Sequence, residues 1–435
     1  MSKRSWLLGL MGLVLGALLV ACGSNYSSST DGLLVVGSQG SGLLETFYFN
    51  LNTGGIGSIT NSPNDTGNET CVLNGSPSNM VMDPAGVYVY VIFNVSPQCP
   101  NQTEIGIATF QVKSNGTIVQ VGSLLQDPNP VSLSMDPAGK FLFVAEGTST
   151  APCIAGTQQP PMPPPTAVCV YSIGSNATLT AVPQTFVLPV QPVTPNYAVV
   201  APTPTVFPKV GINGTQNSVC SIPGSTPPTS QYLYAVDSSN YQVIEFTVDT
   251  SSGVLGYPSL NPVATDKVPA GIAVDPCDRF VYISDSLTNK ISAYLICTVV
   301  INPTPCPYAD GSLVQVPGSP FTMPGNAEGP GPILVDPFGN NVYALNTLSN
   351  TISQFKISSV SGSLAALTTA TVQTGAGPMS MTIRQDDNWL FVTNYGNGAL
   401  GGSTVSQYSI APATGLLTAL PVIQTDNYPF GVAVK

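Results

Sequence analysis

Histidine is absent from this chain, and basic residues are scarce: 11 Lys and Arg stand against 22 Asp and Glu over 435 residues, a formal net charge of −11. Without imidazole the commonest general base, the commonest metal ligand and every triad built on histidine are excluded. So few cations, two of them at the extreme N-terminus, form no patch that follows a phosphate backbone, and nucleic acid is excluded as a partner. No Cys-x-x-Cys spacing, Gly-x-Ser-x-Gly elbow or Walker loop occurs, which removes the usual zinc, hydrolase and nucleotide signatures. Charged residues make up 8% of the chain where globular proteins carry about 25%. The surface therefore relies on Ser, Thr, Asn, Gln, Gly and Pro, a β-rich and export-type composition. With 43% hydrophobic residues a large core is affordable, as one big domain or several ordinary ones.

Residues 1–21 carry Lys3 and Arg4, then an apolar run from Trp6 to Val20, and end in Leu19-Val20-Ala21 before Cys22. The run is short for a membrane span and reads as a signal peptide. It resembles the bacterial lipoprotein signal, which implies that Cys22 receives lipid and becomes the mature N-terminus. Residues 22–30 then form the lipidated cysteine and a short tether, and the membrane is the first expected partner. The expected location is the bacterial cell envelope, extracytoplasmic, in the periplasm or at the surface and on the outer membrane. Cleavage leaves 414 residues with 9 basic and 22 acidic side chains, a net charge of −13. A monomer is expected.

One pattern organises the rest: Pro, five alternating residues, Asp-Pro-x-Gly, then a strongly β-forming run. It occurs at Pro77 to Gly86 and Pro130 to Gly139, with variants at Pro269 to Asp278, Pro330 to Gly339 and Pro378 to Asp387, where Arg384 replaces the aspartate. Asp caps the turn, Pro presets φ and Gly suits the exit, so each copy predicts a hairpin. A third, alternating strand follows, as in Thr351 to Ile357, and a fourth after a Gly-containing turn. First strands are placed at Pro77, Pro130, Pro195, Pro269, Pro330, Pro378 and Pro429. The last unit, ending at Lys435, holds one strand, and residues 33–36, 45–49 and 56–60 supply its missing three. Seven four-stranded units of roughly 50 residues, the last closed by both ends of the chain, predict an all-β seven-bladed propeller over 31–435, with insertions near 150–168 and 202–230.

These units resemble the lactonase-type seven-bladed propellers, the 6-phosphogluconolactonase and muconate cycloisomerase group, and the Tyr-Val-Thr-Asn propeller repeats, nearest at Trp389 to Asn394. The resemblance implies lactone hydrolysis or cyclisation, with His, Arg and Glu in the central cleft. This chain departs from that pattern in His and almost entirely in Arg, leaving Glu146 as a lone acid to carry over. Arg279 and Arg384 fall in turns on the far face and are expected to be salt-bridged surface groups.

Cys22 apart, eight cysteines remain, an even number that suggests disulfides in an exported chain. Of the 105 possible pairings, propeller topology allows Cys71 with Cys99, Cys153 with Cys169, Cys220 with Cys277, and Cys297 with Cys306. The ends of the seven second strands, Ser38, Phe93, Glu146, Asp237, Asp285, Asn346 and Asn394, are the candidate channel-mouth ligand site. Turn capping is the stronger reading of Asp237, Asp285 and Asn346, which open good turn sequences. No cofactor, metal or catalytic set is expected. The residues favour a binding or scaffold module for a small ligand or an envelope protein, with a divergent lactonase acting on an uncharged lactone as the alternative.

Overall fold

A computed structural model describes residues 31–59, 76–94, 105–127, 130–146, 168–183, 198–203, 231–238, 240–256, 262–297, 311–396 and 401–435. The leader, Cys22 and its tether, and most of the two insertions lie outside these residues. The described chain forms seven antiparallel sheets. Blade 1 holds Ser76–Met82, Tyr88–Asn94, Gly106–Val112 and Ile118–Gln126; blade 2 holds Pro130–Met135, Phe141–Glu146, Val168–Ile173 and Leu179–Ala181. Blade 3 holds Ala198–Thr203, Gln231–Asp237 and Gln242–Val248, with a fourth strand in two pieces, Leu255–Gly256 and Val263–Ala264. Blade 4 holds Pro269–Val274, Phe280–Asp285, Lys290–Ile296, Leu313–Gln315 and Phe321–Thr322; blade 5 holds Pro330–Val335, Asn341–Asn346, Thr351–Ile357 and Leu364–Gln373. Blade 6 holds Pro378–Ile383, Trp389–Gly396, Gly401–Ile410, Leu417–Ala419 and Ile423–Gln424.

Blade 7 joins Pro429–Val434 to Asp31–Ser38, Leu43–Asn50 and Ile56–Ser58, with Val35 opposite Ala433. The expected closure is therefore present, and it leaves no open edge between first and last blades. The first strands neighbour one another in order around a ring, blade 7 against blade 1. In blade 3 Ala198 faces Asp237 just as Pro269 faces Asp285; the expected start, Pro195, lies outside the described residues.

The repeated turn works as its residues require. Asp83 Oδ1 accepts the Val87 and Tyr88 N–H groups at 2.6 and 2.7 Å, and Asp136 Oδ1 accepts those of Lys140 and Phe141, both at 2.6 Å. The fourth turn residue has positive φ every time, at Gly86, Gly139 and Gly339 and also at Asp278 and Asp387, which explains the preference for Gly. Both faces of each sheet are covered by neighbouring blades; Phe141 and Phe143 of blade 2, for example, pack with Leu233 and Phe246 of blade 3. Buried tyrosines tie successive blades. Tyr234, Tyr282 and Tyr343 donate their hydroxyls to the carbonyls of Gly311, Gly362 and Gly415 in the next blade, at 2.7, 2.9 and 2.6 Å. Burying each phenol thus leaves no polar group unpaired.

The residue before the first-strand proline also has positive φ in four blades: Val268, Gly329, Gly377 and Tyr428. Its carbonyl accepts the N–H of Ser286, Thr347, Tyr395 and Gln39 respectively, at 2.9 to 3.0 Å, binding the turn between second and third strands to the base of its own blade. Glycine adopts this conformation freely, whereas a β-branched valine is strained there. Val268→Gly should therefore stabilise the protein by about 1 kcal/mol, less the entropy that glycine adds to the unfolded chain. A rise in melting temperature is the expected result, and a fall would contradict this reading of the turn.

Candidate functional site: a carboxylate pair at the channel mouth

First strands start and second strands end on the same face, and the seven candidate residues occupy one register position on it. Ser38, Phe93, Glu146, Asp237, Asp285, Asn346 and Asn394 lie opposite Pro429, Pro77, Pro130, Ala198, Pro269, Pro330 and Pro378. All seven are buried, at 3% exposure or less. Several brace their own blade. Asp285 Oδ2 accepts the Ser292 N–H and hydroxyl at 3.0 and 2.7 Å, and Asn346 donates to Thr351 and Ser353, both at 2.9 Å. Asn394 donates to Thr404 and Ser406, both at 3.0 Å. Asp237 accepts from Asn240 and Gln242, and Ser38 donates to Glu45 at 3.1 Å. Burial pushes Asp285 up to about 7, against the opposing pull of the Ser292 hydroxyl. Burial likewise raises Glu45 to about 7, in spite of hydrogen bonds from Asp426 and Ser38.

Glu146 lies beside a second buried carboxylate. Asp127, just past the fourth strand of blade 1, brings a carboxylate oxygen within 4.8 Å of a Glu146 oxygen, and both residues are buried. Tyr171 donates to Asp127 Oδ2 at 2.7 Å. Its hydroxyl is held far above the usual phenol range by burial first and then by the charges of Asp127 and Glu146. Cys169 brings its sulfur to the same cluster, but that sulfur is in a disulfide, so two carboxylates remain for any cation. Two carboxylates this close in a buried setting repel one another when both are ionised. Asp127 is the residue that reading the chain missed, since the fourth-to-first connection carries no repeat signature. The available signal is Tyr171. In blades 4 and 6 the corresponding third-strand tyrosines, Tyr294 and Tyr408, donate to the backbone carbonyls of Ala264 and Gln373 in the preceding blade. In blade 2 the same reach ends on a carboxylate.

Apolar side chains join this polar ring. Strand pairing slips immediately after the first-strand proline in blades 2, 4, 6 and 7, bulging Val131, Ala270, Met379 and Phe430, which stay half-buried. Such bulges re-aim side chains at barrel and channel rims. Phe430 meets Tyr395 edge-on at 5.9 Å, and Tyr395 meets Tyr428 at 5.1 Å. A separate cavity of about 470 Å³ lies between the outer strands of blades 6 and 7, lined by Phe47, Gly54, Gln407, Leu420 and Val422 among others. No titratable side chain lines it.

Both arginines among the described residues are ion-paired, as expected, but Arg279 is no surface group. It is 8% exposed, grips Asp275 with two bonds of 2.8 Å and donates to the Gly339 carbonyl of blade 5 at 3.0 Å. It is a joint between blades 4 and 5. Arg384 pairs with Asp386 and donates to the Lys435 carbonyl. Cys169, Cys277 and Cys297 are disulfide-bonded; Cys71, Cys99, Cys153, Cys220 and Cys306 lie outside the described residues, and with them the four expected pairings.

The family profile "Lactonase, 7-bladed beta-propeller" matches residues 225–430, from before the second strand of blade 3 into blade 7. The 6-phosphogluconolactonase of Bacillus subtilis is 26% identical over 208 residues, 48% of this chain and 54% of that protein, so the match spans about half the relative's length. Among solved structures, a Bacteroides fragilis protein provisionally called a 6-phosphogluconolactonase superposes with a TM-score of 0.64 at 19% identity, covering 94% of this chain and 99% of that one. The periplasmic gluconolactonase of Pseudomonas aeruginosa does so at 0.64 and 15%, covering 93% and 98%. In blade number, strand order and ring closure this chain is a seven-bladed β-propeller, and over residues 225–430 its sequence is similar to the lactonase-type members of that fold.

Proposed function

We propose that this protein hydrolyses lactones at the Asp127–Glu146 pair, outside the cytoplasm, held to a membrane by lipid on Cys22. The observation that carries the reading is the buried pair itself, two carboxyls within 4.8 Å at the mouth of a lactonase-type propeller. Its chemistry needs neither histidine nor arginine. In the proposed reaction the pair holds one proton, and the hydrogen bond from Tyr171 favours charge on Asp127 and leaves that proton on Glu146. Asp127 takes a proton from water as the water oxygen bonds to the acyl carbon. The bond from that carbon to the ring oxygen breaks, and Glu146 gives its proton to the ring oxygen. The product is a hydroxy acid, which ionises and releases one proton for each ring opened. Exclusion of bulk water strengthens these charges, and the bulged apolar residues offer a wall to the carbon skeleton.

A net charge of −13 after leader cleavage disfavours phosphorylated lactones and favours neutral ones. Titration at constant pH, with glucono-δ-lactone and γ-butyrolactone as substrates, tests the proposal. Turnover above the spontaneous rate is expected. Glu146→Gln should lower it by about 10²- to 10⁴-fold, while Glu45→Gln, a buried acid of blade 7, should leave it near wild type. Folded protein that fails to open any lactone would return the mouth to the role of a binding module.

A further inference from the structure

The cavity between blades 6 and 7 traces to one missing hydroxyl. Tyr234, Tyr282 and Tyr343, each three residues before the mouth position of its strand, bond to the carbonyls of Gly311, Gly362 and Gly415 in the next blade. In blade 6 the same place is held by Phe391, buried against Phe49 at 5.0 Å. The corresponding glycine of blade 7 is Gly54, which shares the positive φ and closes the same turn, its N–H bonded to the Asn50 carbonyl as that of Gly362 is to Ser358. With no phenol to serve it, the Gly54 carbonyl accepts from Gln407 Nε2 at 3.1 Å. Gln407 is thereby diverted. Its counterparts in blades 3 and 5, Glu245 and Gln354, accept an outer-strand N–H of the next blade, from Leu313 and Leu417 at 2.7 and 2.8 Å. The N–H in that place on blade 7 belongs to Ile56, two residues past Gly54. Bonds from Asn50 to Gly55 and from Ile59 to Thr46 set a register that turns the Ile56 N–H away from its own sheet. Among the described residues, Gln407 Oε1 and the Ile56 N–H therefore have no hydrogen-bond partner, and both residues line the cavity. Gln407 is 2% exposed.

Phe47, Leu420 and Ile423 supply apolar wall, and no lining side chain carries charge. An ion would find no counter-charge there, so the cavity selects a neutral guest. Its volume of about 470 Å³ suits a small molecule. One open acceptor and one open donor are both satisfied by a hydroxyl, the smallest group that donates and accepts. We propose that this cavity is a second ligand site, separate from the carboxylate pair, for a neutral, largely apolar molecule whose hydroxyl bonds to the Ile56 N–H and to Gln407 Oε1. The site stands whether or not the mouth opens lactones.

Isothermal titration of the purified protein with 2-naphthol and with its methyl ether, which cannot donate, tests the proposal. 2-Naphthol should bind saturably and about 3- to 10-fold more tightly than the ether, the worth of one neutral hydrogen bond. Gly55→Leu places a side chain in the cavity from a position where a Cβ meets only Thr53 Oγ1, at 3.4 Å, and should abolish binding in a protein that stays folded. Phe391→Tyr should close the site by the opposite route: its hydroxyl serves Gly54, Gln407 is released to Ile56, and 2-naphthol binding falls by about 10-fold or more. Melting curves establish that each variant is folded. Failure of 2-naphthol to saturate the wild type, equal affinity for the ether, or binding that survives Gly55→Leu would overturn the site. Folded Phe391→Tyr protein that binds as the wild type does would overturn the role given to Gln407 and Ile56.

Discussion

Gly271→Ala should destabilise the propeller by about 3 kcal/mol or more, although it adds a single methyl group to a buried strand. Gly271 lies in the innermost strand of blade 4, where a Cβ would come 2.3 Å from the Gly331 carbonyl oxygen and 2.9 Å from Ser284 Oγ. The obstacle is backbone, and close-packed interiors do not yield cheaply to it. Relief would require the first strands of blades 4 and 5 to part by about 1 Å, breaking the hydrogen bond from Ser284 to the Gly331 carbonyl. In a closed ring that displacement is passed to every other blade. Gly431, whose Cβ would lie 2.6 Å from the Ser78 carbonyl, occupies the same place where blade 7 meets blade 1 and should behave alike. Gly55→Ala is the control, since its methyl would meet one side-chain oxygen at an ordinary 3.4 Å. Denaturant unfolding checks all three. Equal midpoints for Gly271→Ala and wild type would show that the inner strands are not in tight contact.

Asp285→Asn should stabilise the protein at about pH 8 and leave it unchanged near pH 4. The buried Asp285 carboxyl titrates at about 7 against an ordinary value of 3.8, so its folded pKa is raised. Below about pH 4 both folded and unfolded states hold the proton and no pH-dependent cost arises. Between there and pH 7 the unfolded chain ionises while the folded chain stays protonated, so stability falls as pH rises and levels off above 7. The stability lost is of the order of a few kcal/mol. Asparagine keeps the shape and has no charge to bury, and it is what blades 5 and 6 carry at this position in Asn346 and Asn394. Glu45 and Glu245, both raised to about 7 chiefly by burial, act in the same direction, so the wild-type melting temperature should decline from mildly acidic to mildly alkaline pH. Thermal melts of wild type and Asp285→Asn across that range test this. A variant less stable than wild type at pH 8 would mean that the carboxylate is stabilised by its surroundings.

The blades were legible because their punctuation is local. Asp-Pro-x-Gly dictates a turn by the geometry of four residues, and the complementary strands at 31–58 and 429–434 dictate ring closure by count alone. The register of the mouth was legible for the same reason, since strand ends follow from turns. What those side chains do there was not. Asp237, Asp285, Asn346 and Asn394 turned inward to brace their own blades, which no linear spacing encodes. The Asp127–Glu146 pair joins two blades through a connection without a motif, and the depth of Arg279 depends on blade 5 supplying the Gly339 carbonyl. Contacts between blades decide chemistry here, and a repeat specifies each blade without specifying its neighbour.

The pH dependence of kcat/KM for a neutral lactone, from about pH 4 to about pH 9, tests the central claim most directly. A pair with one shared proton predicts a bell, falling on the acid side as Asp127 is protonated and on the alkaline side as Glu146 loses its proton. Asp127→Asn should cost activity and remove the acid limb. A rate that climbs with pH without a maximum, or a bell that survives in Asp127→Asn, would contradict hydrolysis by this pair.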